Sequence, residues 1–408
     1  MAAASKSTQT KIALNQRIKQ TLTQRMFLDQ NPGAVNIDLL LGLLTFLAWG
    51  HDHLLQGTPA TLSRFTQLAM TVAFDLRLNK PLGEDSNMLP VGSLNGATCT
   101  APADSARSLE ARRAVLGCFV MSSIVSSYFA QIDPMQWTPY MEECLELVSQ
   151  NRECPYDEIF AHQVRLQRVA QEVEIARGTT IVSAAFYSSA LRRRVGDIKA
   201  QISPHLQQDT VLLASIYYTE LSIFGLLLSK QDHTPTFQRL ECFHACLGTV
   251  KSALDCILKL PIVDYRGSSF PFFTQVARYM IVLYKLTTLS DPAWDTGLVR
   301  STIDVVQVMD QLIANMQQAR VADGEQAAEG FLDRSARIFM SFRQWCAGKI
   351  DEGTAGAAGQ ASTHGVLTGG DNGFLLDPPG FSDIWLQENF SYGVENFNYG
   401  VLEGNDFF

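Results

Sequence analysis

Apolar residues recur at intervals of three and four along the chain as far as Trp345, the spacing that lines one face of an α-helix. From Ile12 to Leu28 the residues Leu14, Ile18, Leu22 and Met26 repeat every four, with Arg17, Lys19 and Arg25 beside them, and Asn31-Pro32-Gly33 closes the segment. A second helix is predicted from Asp38 to Leu55 and a third from Thr61 to Leu78, where Leu62, Phe65, Leu68, Ala69, Val72, Ala73 and Leu76 form a core-facing stripe. Residues 81–108 break the period with Pro81, Pro90 and Pro102 and read as a long loop. The helical spacing returns at Leu109. It predicts helices over Arg112–Ala130, Pro139–Ser149, Asp157–Ala176, Asp209–Ser229, Phe237–Leu260, Phe272–Leu289, Asp295–Ala319 and Gln326–Trp345. Strand-like alternation between hairpin turns is nearly absent. The expected fold is all-α: one large domain over residues 12–348, with about ten or more helices.

Past Lys349 the pattern ends. Seven glycines fall between Gly353 and Gly373, so residues 349–373 are expected to form a flexible linker. Residues 374–408 are expected to be a mostly disordered acidic-aromatic tail. Charge sharpens this division. The chain of 408 residues carries a net charge of -9, and seven acidic residues with no Lys or Arg lie between Asp371 and Phe408. The remaining body is nearly neutral and cannot itself supply the patch of positive charge that dominates nucleic-acid affinity. In the tail, acidic neighbours keep Phe381, Trp385, Phe390, Tyr392, Phe397 and Tyr399 solvated and free to dock on apolar grooves of coactivators, as activation segments do. The plainer alternative is that Trp385 and Phe390 fold back onto the domain. Hydrophobic residues make up 46% and charged residues 18%, so the body has ample material for a core and is not of the disordered class.

The search for reactive chemistry yields little. The chain lacks a phosphate-binding glycine loop, a dinucleotide fingerprint, a nucleophile elbow and a His-Glu-x-x-His pair. His51 and His53 flank Asp52, but positions two apart on a helix point about 200° apart and cannot share a metal. The eight cysteines have no regular pairing distances and read as reduced core thiols of a nuclear or cytosolic protein. Cys242 and Cys246, with His244 between them, have no second ligand pair for zinc. No catalytic, cofactor-binding or metal residue is expected. Arg192, Arg193 and Arg194 read as a solvated helix face, or more weakly as a nuclear-import signal or phosphate contact. No secretory leader is evident. The apolar run Ile37–Trp49 is too short to cross a membrane, and Val211–Leu228 carries Glu220 near its middle.

One segment is more specific. Leu109 to Phe119 (Leu-Glu-Ala-Arg-Arg-Ala-Val-Leu-Gly-Cys-Phe) resembles the Glu-x-Arg-Arg-x-x-Trp-x-x-Phe signature of the fungal transcription factor domain, the middle homology region of zinc-cluster regulators. Glu110, Arg112, Arg113 and Phe119 match it, Leu116 replaces the usual Trp, and Ser122 or Ser123 stands where an Asp is common. Leu39–Trp49, Trp137–Leu145 and Pro292–Arg300 look like further blocks of that family. Ala69–Pro81 is similar to its helix ending Asp-Leu-Gly-Leu-Asn-Lys-Pro, and the likeness runs from about Ile12 to Trp345.

The resemblance implies a nuclear transcription regulator acting with RNA polymerase II, not an enzyme. Its helical body would restrain activity and sense signals, with coactivators or a related zinc-cluster regulator as partners and a homodimer as a further allowed state. Family members carry an N-terminal six-cysteine cluster that binds two zinc ions and reads DNA, whereas Met1 to Lys11 is a short polar lead. DNA would then be reached only through a missing module or a partner, and zinc only through that module. The competing readings are a non-DNA-binding helical partner of a zinc-cluster regulator, or an all-helical carrier or enzyme with a site between helices. Read from side-chain chemistry alone, Arg112 and Arg113 early in an apolar helix are placed to pair with acidic neighbours and tie helices together.

Overall fold

The computed structural model describes residues 8–29, 31, 33–50, 59–81, 107–129, 131–178, 184–229, 236–289, 291–321 and 331–359, and among them every regular element is helical. In chain order the helices are α1 (Thr8–Thr23), α2 (Ile37–Trp49), α3 (Pro59–Asp75), α4 (Leu109–Phe129), α5 (Pro139–Asn151), α6 (Asp157–Gly178) and α7 (Ala184–Ala200). Then come α8 (Thr210–Ser229), α9 (Thr236–Leu258), the single turn α10 (Asp264–Gly267), α11 (Phe270–Thr288), α12 (Thr296–Thr302), α13 (Val305–Val321) and α14 (Phe331–Gly359). A π-helical turn, Gln24–Leu28, extends α1. Most of the expected 81–108 loop lies outside the described residues, as do His51, Asp52, His53 and Cys99. No helix among the described residues is long and apolar enough to cross a membrane. Glu220, in the apolar run of α8, receives the Lys199 ammonium at 3.0 Å.

Helix ends follow local chemistry. Asn36 caps α2 by accepting the Leu39 N–H at 3.1 Å, and Thr138 caps α5 by accepting the Met141 N–H at 3.3 Å. Pro139 occupies the first turn of α5, where its missing N–H costs nothing. Helix α2 ends at Trp49, six residues before the expected Leu55, on Gly50. A Cβ at Gly50 would stand 2.5 Å from the Phe46 carbonyl oxygen, so the chain turns away where only glycine fits. The single helix expected over Asp295–Ala319 is two. Ile303 is extended, and the Asp304 carboxylate accepts the Val306 and Gln307 N–H groups at 2.8 and 2.9 Å, starting α13 afresh. Helix α14 runs on to Gly359, into the span expected to begin the linker.

The end of α3 carries strain. Leu78 N–H bonds the Ala73 carbonyl at 2.9 Å and Arg77 N–H the Phe74 carbonyl at 2.9 Å, the two bonds of a Schellman cap. The cap places Arg77 at a φ of 54°, the left-handed position that glycine normally fills, and Arg77 stands where the Asp-Leu-Gly-Leu pattern has Gly. Arg77→Gly is expected to raise stability by about 0.5–1 kcal/mol, the relief of left-handed strain exceeding glycine's larger unfolded-state entropy. Arg77→Val should lower it, because a β-branched residue tolerates this region least. Thermal unfolding of the two variants checks both signs.

Helix α11 is the axis of the assembly. Fifteen of its residues are buried on all sides, including Phe272, Tyr279, Met280 and Leu283, the mark of a helix enclosed by others. It touches α2, α4, α8, α9, α12, α13 and α14. A main core runs through α2, α3, α4, α5, α9, α11, α13 and α14. A second, smaller core joins one face of α6 to α7 and α8 through Leu166, Val169, Val173, Leu191, Val195 and Ile223. Buried polar groups sit on hydrogen bonds. The Tyr265 hydroxyl donates to the Ile257 carbonyl and accepts from Asn315 Nδ2 at 3.0 Å, joining α9, α10 and α13.

Candidate functional site

The residues that resemble the transcription-factor signature lie on the first half of α4, with the N-terminus of α6 beside them. Arg113 grips Asp157 with two parallel bonds, Nε to Oδ1 at 2.7 Å and Nη2 to Oδ2 at 3.0 Å, and Nη2 also reaches Glu153 Oε2 at 2.8 Å. This fork-to-carboxylate geometry is the strongest form of a charged hydrogen bond. Asp157 is 2% exposed, while about a quarter of the Arg113 side chain faces water. Asp157 also accepts the Cys154 N–H at 2.8 Å, so one carboxylate closes the turn before α6 and ties α6 to α4. Burial alone would push the Asp157 carboxyl up, but the Arg113 and Cys154 bonds hold it below its ordinary value. The Asp157 bond in turn raises the Arg113 guanidinium above its usual range.

Arg112 turns the other way, toward α5. It lies over the Tyr140 ring at 5.9 Å and approaches Cys144 Sγ at 3.7 Å. Glu110, in the first turn of α4, is exposed and favours the positive end of the helix dipole. Phe119 is fully buried, edge-on to Trp137 at 4.8 Å. Leu116, in the usual Trp position, is also fully buried. Ser122 donates to the Phe119 carbonyl and accepts the Met135 N–H at 3.1 Å, and Ser123 accepts Gln167 Nε2 at 2.8 Å. The hydroxyls thus fasten α4 to the following turn and to α6.

Several partners were not singled out in the sequence. Trp137 donates its indole N–H to Glu142 at 3.1 Å, and the Arg168 guanidinium lies 5.0 Å from its ring centre. Arg168 pairs with Glu142 and reaches Glu172, which pairs with Arg194. A ladder of alternating charge therefore crosses α5, α6 and α7. Only the i, i+4 spacing of Arg168 and Glu172 was visible beforehand. The arginine run is partly engaged as well. Arg192 lies 5.4 Å from the centre of the Phe224 ring, Arg194 is in the ladder, and Arg193 is exposed.

Cys242 and Cys246 are buried in the main core, and burial raises the Cys246 thiol well above its usual value. His244 faces outward, edge-on to Trp294 at 4.9 Å. Cys118, within the signature helix, is pushed by burial to a pKa of about 12 and is held as the thiol. Among the described residues no group of three or more His, Cys, Asp or Glu is placed to hold a metal ion. The tail residues Phe381, Trp385, Phe390, Tyr392, Phe397 and Tyr399 lie outside the described residues.

The site is thus an inter-helical clamp: Arg113 is spent on the acids before and at the start of α6 and Arg112 on Tyr140 and Cys144 of α5, which fixes how α4, α5 and α6 sit together. The chain is 29% identical over 358 residues to the transcription factor opdL of Penicillium oxalicum, which covers 84% of this chain and 62% of that protein. It is 29% identical over 335 residues to a transcription factor of Aspergillus terreus, covering 76% and 48%. To the transcription factor himD of Aspergillus japonicus it is 27% identical over 263 residues, covering 61% and 42%. The chain is homologous to fungal transcription factors and spans less than two thirds of the length of each of these relatives. A family model described as a C-terminal domain matches residues 262–398. No solved structure matches the chain.

Proposed function

We propose that this chain is the regulatory and effector region of a nuclear transcription regulator of the zinc-cluster type. The observation that carries this reading is the likeness to opdL over 84% of the chain. It is supported by the placement of Arg112, Arg113 and Phe119, which match the middle homology signature and bind helix to helix. In this reading the helices form the middle homology region and restrain activity, and the acidic-aromatic tail recruits coactivators. DNA contact comes through a zinc-cluster module, either in a longer form of the protein or in a related regulator bound to it.

The tail offers the direct test. Residues 374–408 fused to a heterologous DNA-binding domain are expected to activate a reporter well above that domain alone. Replacing Phe381, Trp385, Phe390 and Tyr392 together with alanine should remove most of the activity, because the aromatics supply the apolar contact while the acidic residues only keep them solvated. A silent fusion, or an alanine variant as active as the parent, defeats the effector assignment.

A further inference from the structure

Five helices leave a cavity of about 350 Å³ between them, within the roughly 300–1,000 Å³ range of small-molecule sites. Its walls come from α2, α4, α6, α8 and the start of α11, elements far apart in sequence. Most of the surface is apolar. Gln163 of α6, Ser215 and Thr219 of α8 and Gln275 of α11 add polar groups to the walls. Among the described residues that line it, none carries a charge.

The polar groups are held but not saturated. Gln163 Nε2 and Gln275 Nε2 both reach the Ser215 hydroxyl at 3.5 Å, the outer limit of a hydrogen bond. The hydroxyl spends its own proton on the Val211 carbonyl at 3.0 Å. A carboxamide has two donor hydrogens and an acceptor oxygen, so two such groups anchored by a single weak bond each retain capacity for a guest. Gln275 is 8% exposed and Ser215 7%, which places this capacity inside the protein. Trp49 and Val211, both more than 40% exposed, are also in the lining and mark its open side.

We propose that this cavity is a binding site for an uncharged, largely apolar small molecule that carries a hydroxyl, carbonyl or amide group. The apolar walls take its hydrocarbon surface, and the Gln163–Ser215–Gln275 cluster takes its polar group. A carboxylate or phosphate is disfavoured, since it would be stripped of water with no cation among the described lining residues to meet it. The site stands on the cavity itself and not on the transcriptional reading. Occupancy would brace α2 and α4 against α6, α8 and α11 at once.

The test uses the full chain and a matched set of probes: 2-naphthol, 2-naphthamide, naphthalene and 2-naphthoate, titrated by saturation-transfer NMR at neutral pH. The naphthol and the amide should bind saturably, with naphthalene weaker and the naphthoate at least tenfold weaker. Gly117 lies on the α4 wall, where a Cβ would meet Leu44 at an ordinary 3.5 Å, so Gly117→Leu grows into the cavity and should abolish binding. Ala48→Leu, on the α2 wall, gives a second blocking variant if the first fails to fold by circular dichroism. No binding of the neutral probes, equal binding of the naphthoate or of naphthalene, or unchanged binding by a folded blocking variant overturns the proposal.

Discussion

Replacing Phe119 with alanine should lower the unfolding free energy by about 3–5 kcal/mol, the usual cost of removing a fully enclosed aromatic from a core that cannot collapse around the gap. Phe119 is fully buried, and its ring meets Trp137 edge-on at 4.8 Å. Trp137 is itself locked by its bond to Glu142 and by the Arg168 guanidinium, so it cannot swing in to fill the void. Urea unfolding of Phe119→Ala and Phe119→Leu separates the contributions. Leucine restores most of the volume and should cost less than about 2 kcal/mol, with the remainder assigned to the lost aromatic pair.

Arg113→Ala is the second change of large effect. It leaves the Asp157 carboxylate enclosed with its Cys154 N–H bond but without its two strongest donors. Loss of one partner from a fully enclosed pair costs about 3–5 kcal/mol. Here about 2–3 kcal/mol is expected, because part of Arg113 is open to water and screened by it. Arg113→Lys should recover less than half, since an ammonium cannot form the parallel bonds. The pH dependence has a definite sign. Asp157 is held below its ordinary value, so the pair's contribution is complete above the unfolded carboxyl value of about 3.9 and disappears as pH falls through the lower folded value. The gap between the parent and Arg113→Ala should therefore be constant near neutrality and close below about pH 4. A gap that persists at pH 2 would assign the loss to packing.

Much of the fold was legible because core-facing stripes dominate the sequence. Helix α8 was expected over Asp209–Ser229 and spans Thr210–Ser229, and α5, α6 and α11 agree nearly as well. Where the reading fell short, a local side-chain effect outweighed periodicity. Asp304 interrupts a continuous apolar spacing by capping, which becomes visible only once its carboxylate is seen on two backbone N–H groups. Helix α7 was expected only as the solvated face of Arg192, Arg193 and Arg194, without bounds, because three successive arginines interrupt the apolar stripe of Leu191, Val195 and Ile198 that it buries. The clamp was half legible. Arg113 was expected to pair with an acid, but Asp157 lies forty-four positions away, and no periodicity carries information over that distance. The cavity was not legible at all, since it exists only where five helices fail to meet.

The central position of α11 has a consequence for anyone who divides this protein. Its apolar surface is covered by α2 and α4 from one side in sequence and by α13 and α14 from the other. Any cut between residues 130 and 330 therefore leaves this helix naked on at least one flank, or absent from a fragment shaped to receive it. Neither half should fold alone, and a chain severed within this span should lose both pieces to unfolding together.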